Sequence, residues 1–116
     1  MKDGFKSLIV WQKAMTRARE VYEITQDFPD RENFGLTNQM RRAAISVPSN
    51  IAEGSRRGTT KDYVQFLRIA HGSLAELETQ LLLAKNLYPK FSYTSAMSLL
   101  DEISRMLHTL ISKLKS

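Results

Sequence analysis

Apolar residues recur at three- and four-residue spacing along most of the chain. The clearest run is Tyr63, Leu67, Ala70, Leu74, Leu77, Leu81, Ala84 and Tyr88, an unbroken seam of the kind that lets one helix pack along another. Ala96, Leu100, Ile103, Leu107, Leu110 and Leu114 continue the spacing towards the C-terminus. Nearer the start, Val10, Ala14, Ala18 (or the stem of Arg17), Val21 and Ile24 form a stripe flanked by Trp11, Met15 and Tyr22. Met40, Ala43, Ala44, Val47 and Ile51 form another. No segment alternates with period two, so no strand is expected. Turn signals separate the stripes: Phe28-Pro29-Asp30, Phe34-Gly35, the stretch between Gly54 and Gly58, and Tyr88-Pro89. The pattern predicts helices over Ser7 to Asp27, Thr37 (as N-cap) to Arg57, Thr59 or Thr60 to Leu87, and Ser92 to the C-terminus. Four long helices with short connections predict an all-α fold, an antiparallel up-down-up-down four-helix bundle forming a single domain over 1–116.

Two polar interruptions break this pattern. Within Ser46-Val47-Pro48-Ser49-Asn50-Ile51-Ala52-Glu53-Gly54, a proline removes a backbone donor and clashes with the carbonyl of Ala44, at about 3 kcal/mol. A helix kinked or restarted near Val47 is expected, with Ser46 or Ser49 capping freed groups. Gly72-Ser73 interrupts the third helix, where glycine costs about 1 kcal/mol relative to alanine and close approach of another helix is the expected reason. Ser73, Glu76 and Gln80 share one edge of that helix, and Asn50 and Glu53 share a face of the preceding one. If the two helices cross there, Asn50, Glu53, Ser73 and Glu76 form a structural polar network that fixes register.

The candidate chemistry is sparse. Glu53 and Glu76 as an acid/base pair have no companion residues to make a catalytic site. His71 and His108 are too few for a metal cluster and read as surface or boundary residues. Neither a glycine-rich phosphate loop nor a persuasive Ser/His/Asp spacing occurs. The sequence implies no catalytic residue, metal or cofactor.

Composition adds little to fold class but excludes some settings. The chain has 116 residues, 42% hydrophobic and 25% charged, without cysteine, so disulfides and thiolate metal sites are ruled out. No leader-like run or bilayer-length apolar stretch is present, so the expectation is a cytoplasmic protein without a membrane partner.

Charge changes the picture more. The formal net charge is +5, which suggests an anionic partner. In an up-down bundle, one pole gathers Lys2, Lys6, Arg56, Arg57, Lys61, Lys113 and Lys115 against Asp3, Glu53 and Asp62. The other balances Arg31, Lys85 and Lys90 with Asp27, Asp30 and Glu32. Arg56, Arg57, Lys113 and Lys115 also complement helix C-termini, by about 0.3–1 kcal/mol each. Arg41 and Arg42 lie early in the second helix, where the dipole disfavours cations. A solvated face, a carboxylate partner or a polyanion would account for them. Ile9, Ile45, Phe66, Ile69, Leu82 and Leu83 lie beside the inner stripes, either widening the apolar faces or marking a subunit interface.

The motifs Val10-Trp11-Gln12-Lys13-Ala14, Phe28-Pro29, Phe34-Gly35-Leu36-Thr37, Gln39, Ser46 to Gly54 and Gly72-Ser73-Leu74-Ala75-Glu76-Leu77 resemble the four-helix-bundle proteins encoded in 23S ribosomal RNA intervening sequences. The resemblance spans nearly the whole chain. A wider relative is the accessory variability determinant of diversity-generating retroelements, a basic homopentamer that binds nucleic acid and its reverse transcriptase. The resemblance implies a homopentamer of antiparallel bundles with Asn50, Glu53, Gly54, Ser73 and Glu76 as architectural positions. It also implies, less directly, binding of RNA or DNA. The functional expectation is a non-catalytic homo-oligomer that holds nucleic acid through Arg41, Arg42, Arg56, Arg57, Lys61, Lys113 and Lys115. The alternative is a scaffold holding an acidic protein partner such as a reverse transcriptase.

Overall fold

A computed structural model describes residues 4–116. It contains four α-helices, α1 (Ile9–Thr25), α2 (Leu36–Ser55), α3 (Thr60–Leu87) and α4 (Thr94–Lys115), with short 3-10 turns at Gly4–Ser7 and Asp30–Glu32. No strand occurs among the described residues. The molecule measures 44 × 21 × 21 Å. Its long axis matches the roughly 42 Å expected of the 28 residues in α3.

Helices adjacent in sequence are adjacent in space, and α4 closes back on α1, which leaves α1 and α3, like α2 and α4, diagonally opposed with no Cα atoms within 8 Å. Side-chain bonds give the directions. Ser46 meets Ser73, while Gly54 lies against Tyr63 and Phe66, so α2 and α3 run oppositely. Arg41, early in α2, reaches Thr25 at the end of α1, while Arg56, at the end of α2, lies over Phe5 just before α1. His71 meets Ser104, and Tyr93 reaches back to Ala84. Lys13 pairs with Glu102 and Glu20 with Ser95. Each contacting pair of helices is therefore antiparallel.

The spaced apolar residues form the core. Met40, Val47, Ile51, Leu67, Leu74, Leu77, Leu81, Ile103 and Leu107 are buried. The seam ends, Tyr63 and Tyr88, are half-buried, as are Leu110 and Leu114. Ile24 is also only half-buried, and Thr25 takes the inner position beside it, its hydroxyl donating to the Val21 carbonyl at 2.7 Å. Arg17, on the same stripe, is wholly buried, and no hydrogen-bond partner reaches any of its three guanidinium nitrogens. Burial lowers its pKa to about 10, opposed by the charge of Glu20.

Helix ends and interruptions differ from expectation in four places. Thr37 does not cap α2. The helix begins at Leu36, Thr37 is buried within it, and Glu32 Oε1 accepts from the Leu36 amide at 3.4 Å. α2 is continuous through Pro48, so the restart, one of the two outcomes expected there, does not occur. Gly72 is exposed, and a Cβ built there meets nothing within 4 Å, so no neighbouring helix explains it. The close approach falls instead at Gly54, where a Cβ would lie 2.7 Å from Phe66 Cβ and 3.3 Å from the Tyr63 carbonyl. The α2–α3 turn then passes through Gly58, whose φ of 92° suits glycine. α3 is capped by Thr59, whose Oγ1 accepts from the Asp62 amide at 3.1 Å.

Candidate nucleic-acid interface

The antiparallel order brings the start of α1, the end of α2, the start of α3 and the end of α4 to one pole. Lys6, Arg56, Arg57, Lys61, Lys113 and Lys115 belong to these segments, and all are exposed. Lys2 and Asp3 lie outside the described residues. The acidic groups at this pole are Asp62, in the first turn of α3, and Glu53, whose carboxylate is 3.7 Å from the Arg57 guanidinium. That pair is about half exposed, so the attraction is weak and leaves the cation open to water.

Two aromatic rings seat the pole's arginines. The Arg56 guanidinium stands 5.3 Å from the centre of Phe5, and Arg57 stands 5.2 Å from that of Phe66. Phe5 in turn meets Trp11 edge-on at 5.3 Å. Phe5 is far from Arg56 in sequence and Phe66 lies across the α2–α3 turn from Arg57, so both pairings arise on folding. Lys113 and Lys115 project on different sides of α4. Lys113 borders a groove against the start of α1, and Lys115 borders one against α3.

Arg41 and Arg42 do not join this pole. They precede Arg56 by about 22 Å along α2. Arg41 is half-buried and already engaged. Its Nε donates to Thr25 Oγ1 at 2.9 Å, its Nη2 reaches the Tyr22 carbonyl at 3.5 Å, and its guanidinium lies 4.4 Å from the Tyr22 ring centre. It thus serves the carbonyl end of α1, which the macrodipole makes attractive to a cation. Arg42 is exposed and shares a polar cleft with Gln39, Ser46 and Glu76, forming no ion pair among the described residues.

The predicted polar network divides. Asn50 Nδ2 donates to the Ser46 carbonyl at 2.8 Å and to Ser46 Oγ at 2.9 Å. Ser46 Oγ lies 2.8 Å from Ser73 Oγ, which ties α2 to α3. Ser46 is the linking residue that the sequence reading left out. Glu53 and Glu76 are exposed and take no part in this chain of bonds. Glu53 pairs with Arg57 one turn on, and Glu76 stands in the α2–α3 cleft beside Gln39, Arg42 and Ser46. Among the described residues, no cluster of histidines and carboxylates is arranged to hold a metal, and no helix is long and apolar enough to cross a membrane.

The opposite pole is bound by side chains. Tyr93 OH donates towards the Tyr88 carbonyl at 2.9 Å and the Ala84 carbonyl at 3.2 Å. Tyr88 OH donates to Glu32, and Phe28 packs between Tyr88 and Phe91 at 5.0 and 5.6 Å. A comparison with curated proteins finds no match. The family model described as 23S rRNA-intervening sequence protein matches residues 6–109. With the motif residues now placed on four packed helices, the chain belongs to the 23S rRNA-intervening sequence protein family.

Proposed function

We infer that this protein is a non-catalytic homo-oligomer, a pentamer, that binds RNA or DNA through its basic pole. The carrying observation is the gathering of Arg56, Arg57, Lys61, Lys113 and Lys115 at one end of the rod, exposed and opposed by few acidic groups. In a ring, each such pole is repeated about the axis, and phosphate contacts add across subunits. Binding through phosphates is sequence-independent and falls steeply with salt.

Self-association is supported by apolar side chains that the bundle leaves in water. Ile9, Leu82, Leu83 and Leu87 are each exposed by at least half, and Ile45 and Ile69 by more than two-fifths. Neither Glu53 nor Glu76 lines the groove that holds the two histidines, which supports a role outside catalysis.

The test is a filter-binding titration of labelled RNA and DNA over a salt series, with oligomer mass followed by light scattering. The Arg56→Ala, Arg57→Ala double variant is expected to weaken binding several-fold and to lower the salt slope by about 1–2 per protomer engaged. An unchanged affinity and slope would remove these arginines from the interface. A monomer at all concentrations would dispose of the ring.

A further inference from the structure

The pole opposite the basic one presents a ring to water and, beside it, a hollow that no ring of its own protomer enters. Phe34, in the turn between α1 and α2, is 97% exposed, more than any other large apolar side chain among the described residues. The turn that holds it is bonded at several points. The Gly35 amide donates to the Glu32 carbonyl at 2.9 Å, and the Glu32 carboxylate accepts from the Leu36 amide and from Tyr88 OH. A fixed turn of this kind loses little further freedom when a partner covers the ring it carries. The hollow is a socket of about 450 Å³ between the end of α3 and the start of α4. Leu82, Pro89, Phe91 and Met97 are its apolar lining, with Lys85 among them, and no residue of the α1–α2 turn lines it.

The charge of this pole is balanced in sum but divided between its two turns. The α1–α2 turn has Asp27, Asp30 and Glu32 against Arg31, three acids and one base, a formal −2. The last turn of α3 and the connection after it have Lys85 and Lys90 without an acid, a formal +2. Glu32 is engaged with Tyr88, whereas Asp27, Asp30, Lys85 and Lys90 are exposed and form no ion pair among the described residues. We propose that Phe34 is the knob of a head-to-tail contact between copies of this chain, entering the socket of a neighbour and bringing Asp27 and Asp30 to that neighbour's Lys85 and Lys90. The proposal rests on the self-association read above and names the surfaces that carry it. Apolar insertion supplies the affinity, and the opposed charges set orientation and disfavour like turns meeting.

Height along the rod accounts for closure. Ser46 meets Ser73 across the antiparallel pair, and Phe34 precedes Ser46 by as many residues as Lys85 follows Ser73. Knob and socket are therefore level to within about one turn, roughly 5 Å. A neighbour seated upright neither climbs nor descends, so repeated contacts close into a ring instead of rising as a fibre. The basic poles then share one rim.

The experiment follows the mass of the full chain by sedimentation velocity over a concentration series at low and high salt. Phe34→Ser, a change at a solvated position, is expected to keep the wild-type urea midpoint and to raise the dissociation constant at least about tenfold. Leu82→Asp, in the exposed wall of the socket, is expected to do the same. Mixed in equal amounts, these two variants retain one working knob and one working socket, so at high concentration they should form pairs and go no further. Asp27→Lys with Asp30→Lys, and separately Lys85→Glu with Lys90→Glu, should each weaken assembly at low salt, and all four changes in one chain should restore it. Arg56→Ala with Arg57→Ala should assemble as wild type, which separates loss of assembly from loss of nucleic-acid binding. Wild-type mass for Phe34→Ser, a mixture that gives no pairs, or a fourfold reversal without rescue overturns the contact and leaves the ring standing. A wild type that is monomeric at every concentration overturns both.

Discussion

The two ends of this rod are held by different means. At the end opposite the basic pole, side chains do the joining. Arg41 binds the last turn of α1, and Tyr93 reaches two carbonyls at the α3–α4 turn. At the basic pole, backbone closeness does it: α2 and α3 approach at Gly54 until a single added carbon overlaps Phe66. The contrast explains which cations are available. Where side chains tie the helices, Arg41 is consumed by the tie. Where a glycine lets the helices touch directly, Arg56 and Arg57 remain outside, resting on aromatic rings.

The largest expected effect tests the backbone contact. Gly54→Val places a branched side chain where Cβ alone comes within 2.7 Å of another Cβ, which cannot yield without moving α3. A loss of about 3 kcal/mol is expected in urea unfolding, and wild-type stability would mean the ends are not held differently. Arg41→Met is next. It keeps the stem but removes the bond to Thr25 and the stacking on Tyr22, for a loss of about 1–2 kcal/mol. The same melts should show almost nothing for Arg56→Ala with Arg57→Ala, less than about 1 kcal/mol, since only exposed pairing and helix-end charge are lost. A larger loss there than at Arg41 would reverse the comparison.

Much of this architecture is legible in the spacing of apolar residues, because burial on a helix demands that spacing and antiparallel packing follows from short connections. The α3 seam from Leu67 to Ala84 and the α4 stripe from Ala96 to Leu107 are buried as the spacing predicts. What escapes is whatever depends on rotation and register between helices. Gly54 and Gly72 look alike as interruptions, yet one faces α3 and the other faces water. Arg41 and Arg42 are neighbours in sequence but differ by about 100° around α2, so one is engaged and the other open. Thr37 has the chemistry of a cap and lies one residue inside the helix.

Arg17 bears on how the chain closes. Its guanidinium must surrender its hydration shell before the four rods meet, and among the described residues no partner hydrogen-bonds it in return. Collapse and dehydration are thereby coupled midway along α1, and a thioether in that place would be expected to speed refolding and raise the melting temperature.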